Sequence, residues 1–130
     1  MLRILVVDDF EPYRELVVSL LDRDPGLEVV GEASDGLDAV AKARQLRPDL
    51  VLMDINLPKL NGLEAARRIL KVLPESKIVF LTQEASSEFV QAASKLGASG
   101  YVIKQQAKKD LSVAVIAVLE GGQFTSSILA

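Results

Sequence analysis

Hydrophobic residues along the chain follow two rhythms: short unbroken runs, and longer stretches in which they recur every three or four positions. The first run, Arg3-Ile-Leu-Val-Val-Asp8, predicts a strand buried on both faces. From Glu11 to Arg23, Tyr13, Leu16, Val17 and Leu20 stand at helical spacing, with Pro12 tolerated in the first turn and Asp24-Pro25-Gly26 as the stop. Leu27 to Ala33 alternates more and reads as a strand nearer the sheet edge. Ser34-Asp35-Gly36 then offers a turn and cap to a helix through Leu46, with Leu37, Val40, Ala43 and Leu46 on one stripe. Pro48-Asp49 breaks that helix. The four apolar residues Leu50 to Met53 predict a central strand, and it stops at the carboxylate of Asp54.

The alternation continues. Asn61 to Leu73 carries Leu63, Ala66, Ile69, Leu70 and Leu73 inward and ends before Pro74. Lys77-Ile-Val-Phe-Leu-Thr82 is a fourth buried run, ending in a hydroxyl. A shorter helix runs from about Ser86 to Leu96, with Phe89, Val90, Ala93 and Leu96 as its apolar side and Gly97 closing it. Ala98 to Ile103 is the fifth strand and ends at Lys104, and a last helix runs from about Lys108 to Glu120, before Gly121-Gly122. Strand and helix alternating five times over imply parallel neighbours joined by helical crossovers. The expected fold is α/β: a doubly wound, five-stranded parallel sheet of order 2-1-3-4-5, flavodoxin-like, with five helices. Residues 1–122 form its one domain. Residues 123–130 find no partner in the pattern and read as a tail, or the start of a linker to an output domain not present here.

Composition narrows the chemistry. At 130 residues with 49% hydrophobic side chains the chain can build one sizeable core. No apolar run approaches the ~18 residues of a membrane span, and Asp8-Asp9 interrupts any signal-peptide core, so the expectation is a cytoplasmic protein with no membrane partner. Without Cys or His, thiolate nucleophiles, imidazole bases and the usual zinc sites are excluded. A net charge of −3 argues against a nucleic-acid surface on this segment.

What remains is carboxylates, hydroxyls and amines, and their positions are informative. The first strand ends in Asp8-Asp9, the third in Asp54, the fourth in Thr82 and the fifth in Lys104. A lone Asp at a strand end is most simply a terminator or cap. In the order 2-1-3-4-5 these four strands are adjacent, so the side chains converge at the carboxyl ends of the strands, where open α/β sheets bind ligands. Three clustered carboxylates repel one another, and a hard divalent cation is the simplest compensation. Mg²⁺ suits an all-oxygen donor set and pairs with phosphate oxygens. With a Lys and a Thr nearby, the site fits phosphoryl transfer, Asp54 being the nucleophile that forms an aspartyl-phosphate.

These residues carry a resemblance. Val6-Val-Asp-Asp9, Pro48-Asp-Leu-Val-Leu-Met-Asp54, Leu57-Pro58 with Asn61-Gly62, the strand ending in Thr82, and Gly97-Ala-Ser-Gly-Tyr-Val-Ile-Lys104 resemble the CheY-like receiver domains of bacterial two-component response regulators. The resemblance covers essentially the whole chain and is nearest to the NarL/FixJ (LuxR-type) branch. It implies that Asp54 is the phosphoacceptor, that Asp8, Asp9, Asp54 and the backbone carbonyl of Asn56 hold Mg²⁺, and that Lys104 neutralises the phosphate. It also implies that Thr82 is the switch hydroxyl and Tyr101 the switch aromatic, turning inward as Thr82 moves to the phosphoryl group. The chain would then be a signalling switch, not an enzyme, catalysing only its own phosphorylation and dephosphorylation. A partner sensor histidine kinase would supply the phosphoryl group, and DNA would be met only through a helix-turn-helix domain not present here.

Rival readings exist. A flavodoxin-type carrier needs a Ser, Thr and Gly-rich phosphate loop where Asp8-Asp9-Phe10-Glu11 stands. A haloacid-dehalogenase-type phosphatase needs an Asp-x-Asp motif on its first strand, which is missing. A stand-alone or degenerate receiver, binding partners without phosphorylation, remains as the alternative. Gln83 after Thr82, Gln105 after Lys104 and Phe10 after the acidic pair depart from the family pattern but remove no reactive group. Asn56 and Glu84 are expected to flank the water that hydrolyses the aspartyl-phosphate. Val113, Ile116 and Ala117 form a second apolar side on the last helix; with Val18 of the first helix they predict a homodimer, or the docking of an output domain, through helices one and five.

Overall fold

The unbroken apolar runs form strands, since a sheet covered on both faces buries every side chain of such a run, and the alternating stretch Leu27 to Ala33 forms one at the sheet edge. These are β1 (Leu2–Val7), β2 (Leu27–Ala33), β3 (Leu50–Asp54), β4 (Lys77–Thr82) and β5 (Gly100–Ile103). The structure, a computed structural model, describes residues 1–83 and 87–126. Glu84 and the start of the fourth helix at Ser86 therefore lie outside the described residues, as does the tail from residue 127 onward.

The periodic stretches are helices: α1 (Glu11–Leu21), α2 (Gly36–Leu46), α3 (Gly62–Val72), α4 (Ser87–Leu96) and α5 (Ala107–Leu119). Asp35 caps α2 by accepting from the Asp38 amide at 2.7 Å, and Asn61 caps α3 by accepting from the Glu64 amide at 2.9 Å. The stripe predicted for α2 is displaced. Ala39, Val40 and Ala43 face the core while Leu37 is exposed. A single 3₁₀ turn, Lys104–Gln106, leads from β5 into α5.

All strands run parallel, in the order β2-β1-β3-β4-β5-β6. The first five take the expected order. The sixth corrects the expectation of five: β6 (Phe124–Thr125), from the tail expected to have no partner, pairs Phe124 with Gly100 and Thr125 with Tyr101. Two residues are too few to show a period of two, so no hydrophobic pattern announces this strand. It is held by Phe124, which packs against the core, and by Ser126, which is fully buried.

Two apolar layers sandwich the sheet. One joins it to α2, α3 and α4, the other to α1 and α5. Every residue of β3 is buried, Asp54 included. Burying a side chain such as Leu52 contributes ~1.5–3 kcal/mol, so the apolar run readily offsets the cost of the carboxylate at its end. Among the described residues no helix is long and apolar enough to cross a membrane.

Candidate functional site

Register fixes which strand ends meet. Val7 pairs with Met53, Asp54 with Leu81 and Thr82 with Ile103, so the residues that follow or close these strands gather at one end of the sheet. Asp8, just beyond β1, is fully buried, whereas Asp9 is exposed. Carboxylate oxygens of Asp8, Asp9 and Asp54 lie within 4.8 Å of one another.

Lys104 closes the cluster from the turn just beyond β5. Its Nζ donates to Asp8 Oδ2 at 2.7 Å and to Asp54 Oδ2 at 2.9 Å. Burial alone would pull the Lys104 pKa down, but the hydrogen bonds and charges of Asp8 and Asp54 outweigh it and hold the pKa above the ordinary 10.5. The ammonium is thus a resident countercharge for two of the three acids. The Asp8 carboxylate also accepts from the Phe10 amide at 2.9 Å, and Asp54 Oδ1 from the Asn56 amide at 3.2 Å. Arg14 braces the loop by donating to the Asp8 backbone carbonyl at 2.7 Å.

The acids and the lysine open into a cleft of about 730 Å³ lined by Asp9, Phe10, Tyr13, Asp54, Asn56, Gln83, Lys104 and Gln105. The departures noted in the sequence, Phe10, Gln83 and Gln105, are thus all cleft-lining residues. The donor set suits a hard cation: every available ligand is an oxygen, and the acids have one ammonium between them.

The other predicted residues fall as follows. Thr82 closes β4 at the same end of the sheet and is buried. Tyr101 is already turned in, on the opposite face of the sheet from α5. Its ring meets Phe89 edge-on at 6.3 Å, and its hydroxyl donates to the Val90 carbonyl of α4 at 3.4 Å. Burial raises its pKa, opposed by a hydrogen bond with Ser94. On α5, Val113 and Ile116 are exposed, 58% and 40%, and Ala117 is half-buried. Val18 is not outside the core stripe of α1 as expected: it is half-buried in the layer that α1 shares with α5, because α5 packs beside α1 and widens its covered side.

Three residues escaped the sequence reading. Tyr13, expected only as a core residue, donates its hydroxyl to the Lys104 carbonyl at 3.0 Å and sets its ring centroid 4.6 Å from Lys104 Nζ. A hydroxyl on an otherwise aliphatic stripe, four positions after Asp9, was the available signal. Burial, then the charges of Asp8 and Asp54, push its phenol far above the ordinary 10.0, so it stays a neutral donor. Ser126 and Asp110 form a second buried polar group. Ser126 Oγ donates to Asp110 Oδ2 at 2.8 Å and accepts from the Ile103 amide at 3.1 Å. Nothing in a short tail or in the first turn of a helix signals that pairing.

The loop from Asp54 to α3 is clamped by two glycines. A Cβ on Gly62 would stand 2.3 Å from the Asp54 carbonyl oxygen, and one on Gly36 would stand 1.8 Å from the Leu60 carbonyl oxygen. Both amides hold the same loop, Gly62 to the Ile55 carbonyl at 2.7 Å and Gly36 to the Pro58 carbonyl at 3.3 Å.

Residues 4–116 match the family described as the response regulator receiver domain. The chain is 37% identical over 123 residues to the transcriptional regulatory protein DegU of Brevibacillus brevis, covering 95% of this chain and 52% of that protein. It is 36% identical over 130 residues to the response regulator GacA of Pseudomonas aeruginosa, covering 100% of this chain and 61% of that protein. The chain thus spans little more than half the length of these relatives. Among solved structures, a LuxR-family two-component response regulator from Aurantimonas sp. SI85-9A1 superposes with a TM-score of 0.93 at 38% identity, covering 98% of this chain and 91% of that one.

Proposed function

Because the chain belongs to the receiver domains of response regulators, we propose that it accepts a phosphoryl group on Asp54 and switches conformation to control an output. The observation that carries this reading is the Lys104 ammonium, shared between Asp8 at 2.7 Å and Asp54 at 2.9 Å in a cleft that also holds Asp9. Asp54 attacks phosphorus, and the bond from phosphorus to the donor's leaving group breaks as the acyl phosphate forms. The donor is the phosphohistidine of a sensor kinase, for the chain has no histidine of its own. An ammonium has three N–H donors, so Lys104 can turn one of them to a phosphoryl oxygen. Thr82 donates its hydroxyl to another, as the family resemblance implies.

Asp8, Asp9, Asp54 and the Asn56 backbone carbonyl would hold Mg²⁺, which, bound there, offsets the charge of the phosphoryl oxygens. Asn56, lining the cleft, flanks the water that later hydrolyses the phosphoryl group, the role also expected of Glu84. The chain acts only on itself, as a switch and not as an enzyme with an external substrate. Phosphorylation draws Thr82 toward the phosphate and favours the inward Tyr101, which braces α4 through the Val90 carbonyl. The output is transcription, carried by a DNA-binding domain of the kind implied by relatives named as transcriptional regulators, in the cytoplasm. Self-association through α1 and α5, with Val113, Ile116 and Ala117 at its centre and Val18 at its margin, couples the switch to that output.

Intact mass after exposure to acetyl phosphate and Mg²⁺ tests the reading. The wild type gains one phosphoryl group, and Asp54→Asn gains none. A wild type that takes no phosphoryl group is instead a binding module that works without phosphorylation.

A further inference from the structure

Lys104 sits at the end of a short strand, and its four-carbon stem has many rotamers; something must choose among them. Its ammonium is fixed by Asp8 and Asp54, yet both acids are also proposed to serve a metal and a phosphoryl group, so neither can be relied on as the lysine's permanent anchor. Tyr13 is the anchor that does not change partners. Its hydroxyl donates to the Lys104 backbone carbonyl at 3.0 Å, and the face of its ring lies 4.6 Å from the same residue's Nζ. One side chain on α1 therefore holds the main chain and the charged tip of a residue 91 positions away. Phe or Leu could pack into the same apolar layer, but neither supplies both contacts: Phe lacks the donor, Leu the donor and the π face.

We propose that Tyr13 is a positioning residue for phosphoryl transfer, keeping Lys104 aimed into the cleft when Asp8 and Asp54 are engaged elsewhere. The proposal rests on Asp54 being phosphorylated and deepens that reading by adding a residue that touches neither metal nor phosphate. Its action is on the lysine alone. The Mg²⁺ requirement, set by the acids, is left as it is.

The test measures the rate of phosphorylation by acetyl phosphate, by intact mass, for wild type, Tyr13→Phe and Tyr13→Leu across a series of Mg²⁺ concentrations. Tyr13→Leu should be slower by about tenfold, and Tyr13→Phe by an intermediate factor, with the Mg²⁺ concentration for half-maximal rate unchanged in both. A spectroscopic readout accompanies it. The Lys104 ε-methylene protons should be shifted upfield by the ring in wild type and Tyr13→Phe, and return to an ordinary lysine position in Tyr13→Leu. Rates equal to wild type in both variants overturn the proposal, as does a slowing matched by a weakened Mg²⁺ response, or a lysine signal indifferent to the ring. Should Tyr13→Leu fail to fold, Tyr13→Phe alone decides by its rate. A wild type that is never phosphorylated is a different failure, that of the phosphoacceptor reading itself.

Discussion

Two buried polar groups meet at the consecutive residues Ile103 and Lys104, where β5 gives way to the 3₁₀ turn. On one side Lys104 joins Asp8 and Asp54; on the other the Ile103 amide joins Ser126 and, through it, Asp110. The first buries two hydrogen-bonded carboxylates and the second one, yet they differ in kind. The first opens on a cleft and is built of full charges, which can exchange a partner for an ion or a phosphoryl group from solvent. The second is buried between β5, α5 and β6, and its centre is the fully buried Ser126 hydroxyl, which both donates and accepts out of reach of solvent. Polar burial thus serves exchange in one place and permanence in the other, and the permanent group fixes the strand end that carries the exchangeable one.

The comparison breaks most visibly at the lysine. Lys104→Met leaves Asp8 and Asp54 without their countercharge, and should lower stability in the absence of Mg²⁺ by roughly 2–3 kcal/mol, less than for a fully sealed pair because the cleft admits water. Urea midpoints with and without Mg²⁺ check it: the ion should restore more stability to the variant than it adds to wild type. A variant as stable as wild type in chelator would mean that the acids do not depend on Lys104.

Ser126→Ala probes the sealed group. It strands the Ile103 amide and removes a donor from buried Asp110, and should cost about 1–3 kcal/mol with no response to Mg²⁺. A urea midpoint that moves with Mg²⁺ as Lys104→Met does would erase the distinction between the two groups.

Alkaline titration sharpens the contrast further. Lys104 and Tyr13 both bind their protons more tightly folded than unfolded, since their folded pKa values lie above the ordinary 10.5 and 10.0. Their contribution is complete below about pH 10.0 and is lost as pH rises through the folded values. Tyr101 adds a loss of the same sign from elsewhere in the molecule. Stability measured on either side of that pH should fall less steeply for Tyr13→Phe than for wild type, while Ser126→Ala, which removes no titrating group, should keep the wild-type slope.

The smallest effect on the fold is expected at the exposed face of α5. Ile116→Glu should change stability by less than about 0.5 kcal/mol and leave phosphorylation intact, yet lower self-association in sedimentation. An unchanged dimer constant in both phosphorylation states would move the interface to another face.

The same contrast explains what could be read from the chain beforehand. Asp8, Asp9, Asp54, Thr82 and Lys104 were legible because each ends an unbroken apolar run, and a parallel sheet brings the ends of such runs together. β6 was not, since Phe124 and Thr125 are too short a segment to carry a rhythm. Asp110 looked like an ordinary first-turn acid, favourable at a helix N-terminus in any setting, and only its burial beside Ser126 distinguishes it. Tyr13 belongs to the apolar layer as its spacing predicts, but the bond from its hydroxyl reaches from α1 to the turn after β5, and periodicity within one helix holds no record of it.

Gly36 stands 18 residues before Asp54, on a helix that contributes no group to the cleft, and yet the loop leaving Asp54 reaches its height only because that position is bare: even a methyl there would meet the Leu60 carbonyl at 1.8 Å. A saturation screen scored on phosphorylation would therefore flag Gly36 as strongly as a reactive residue. Read without coordinates, such a screen would credit chemistry to an atom that is not there.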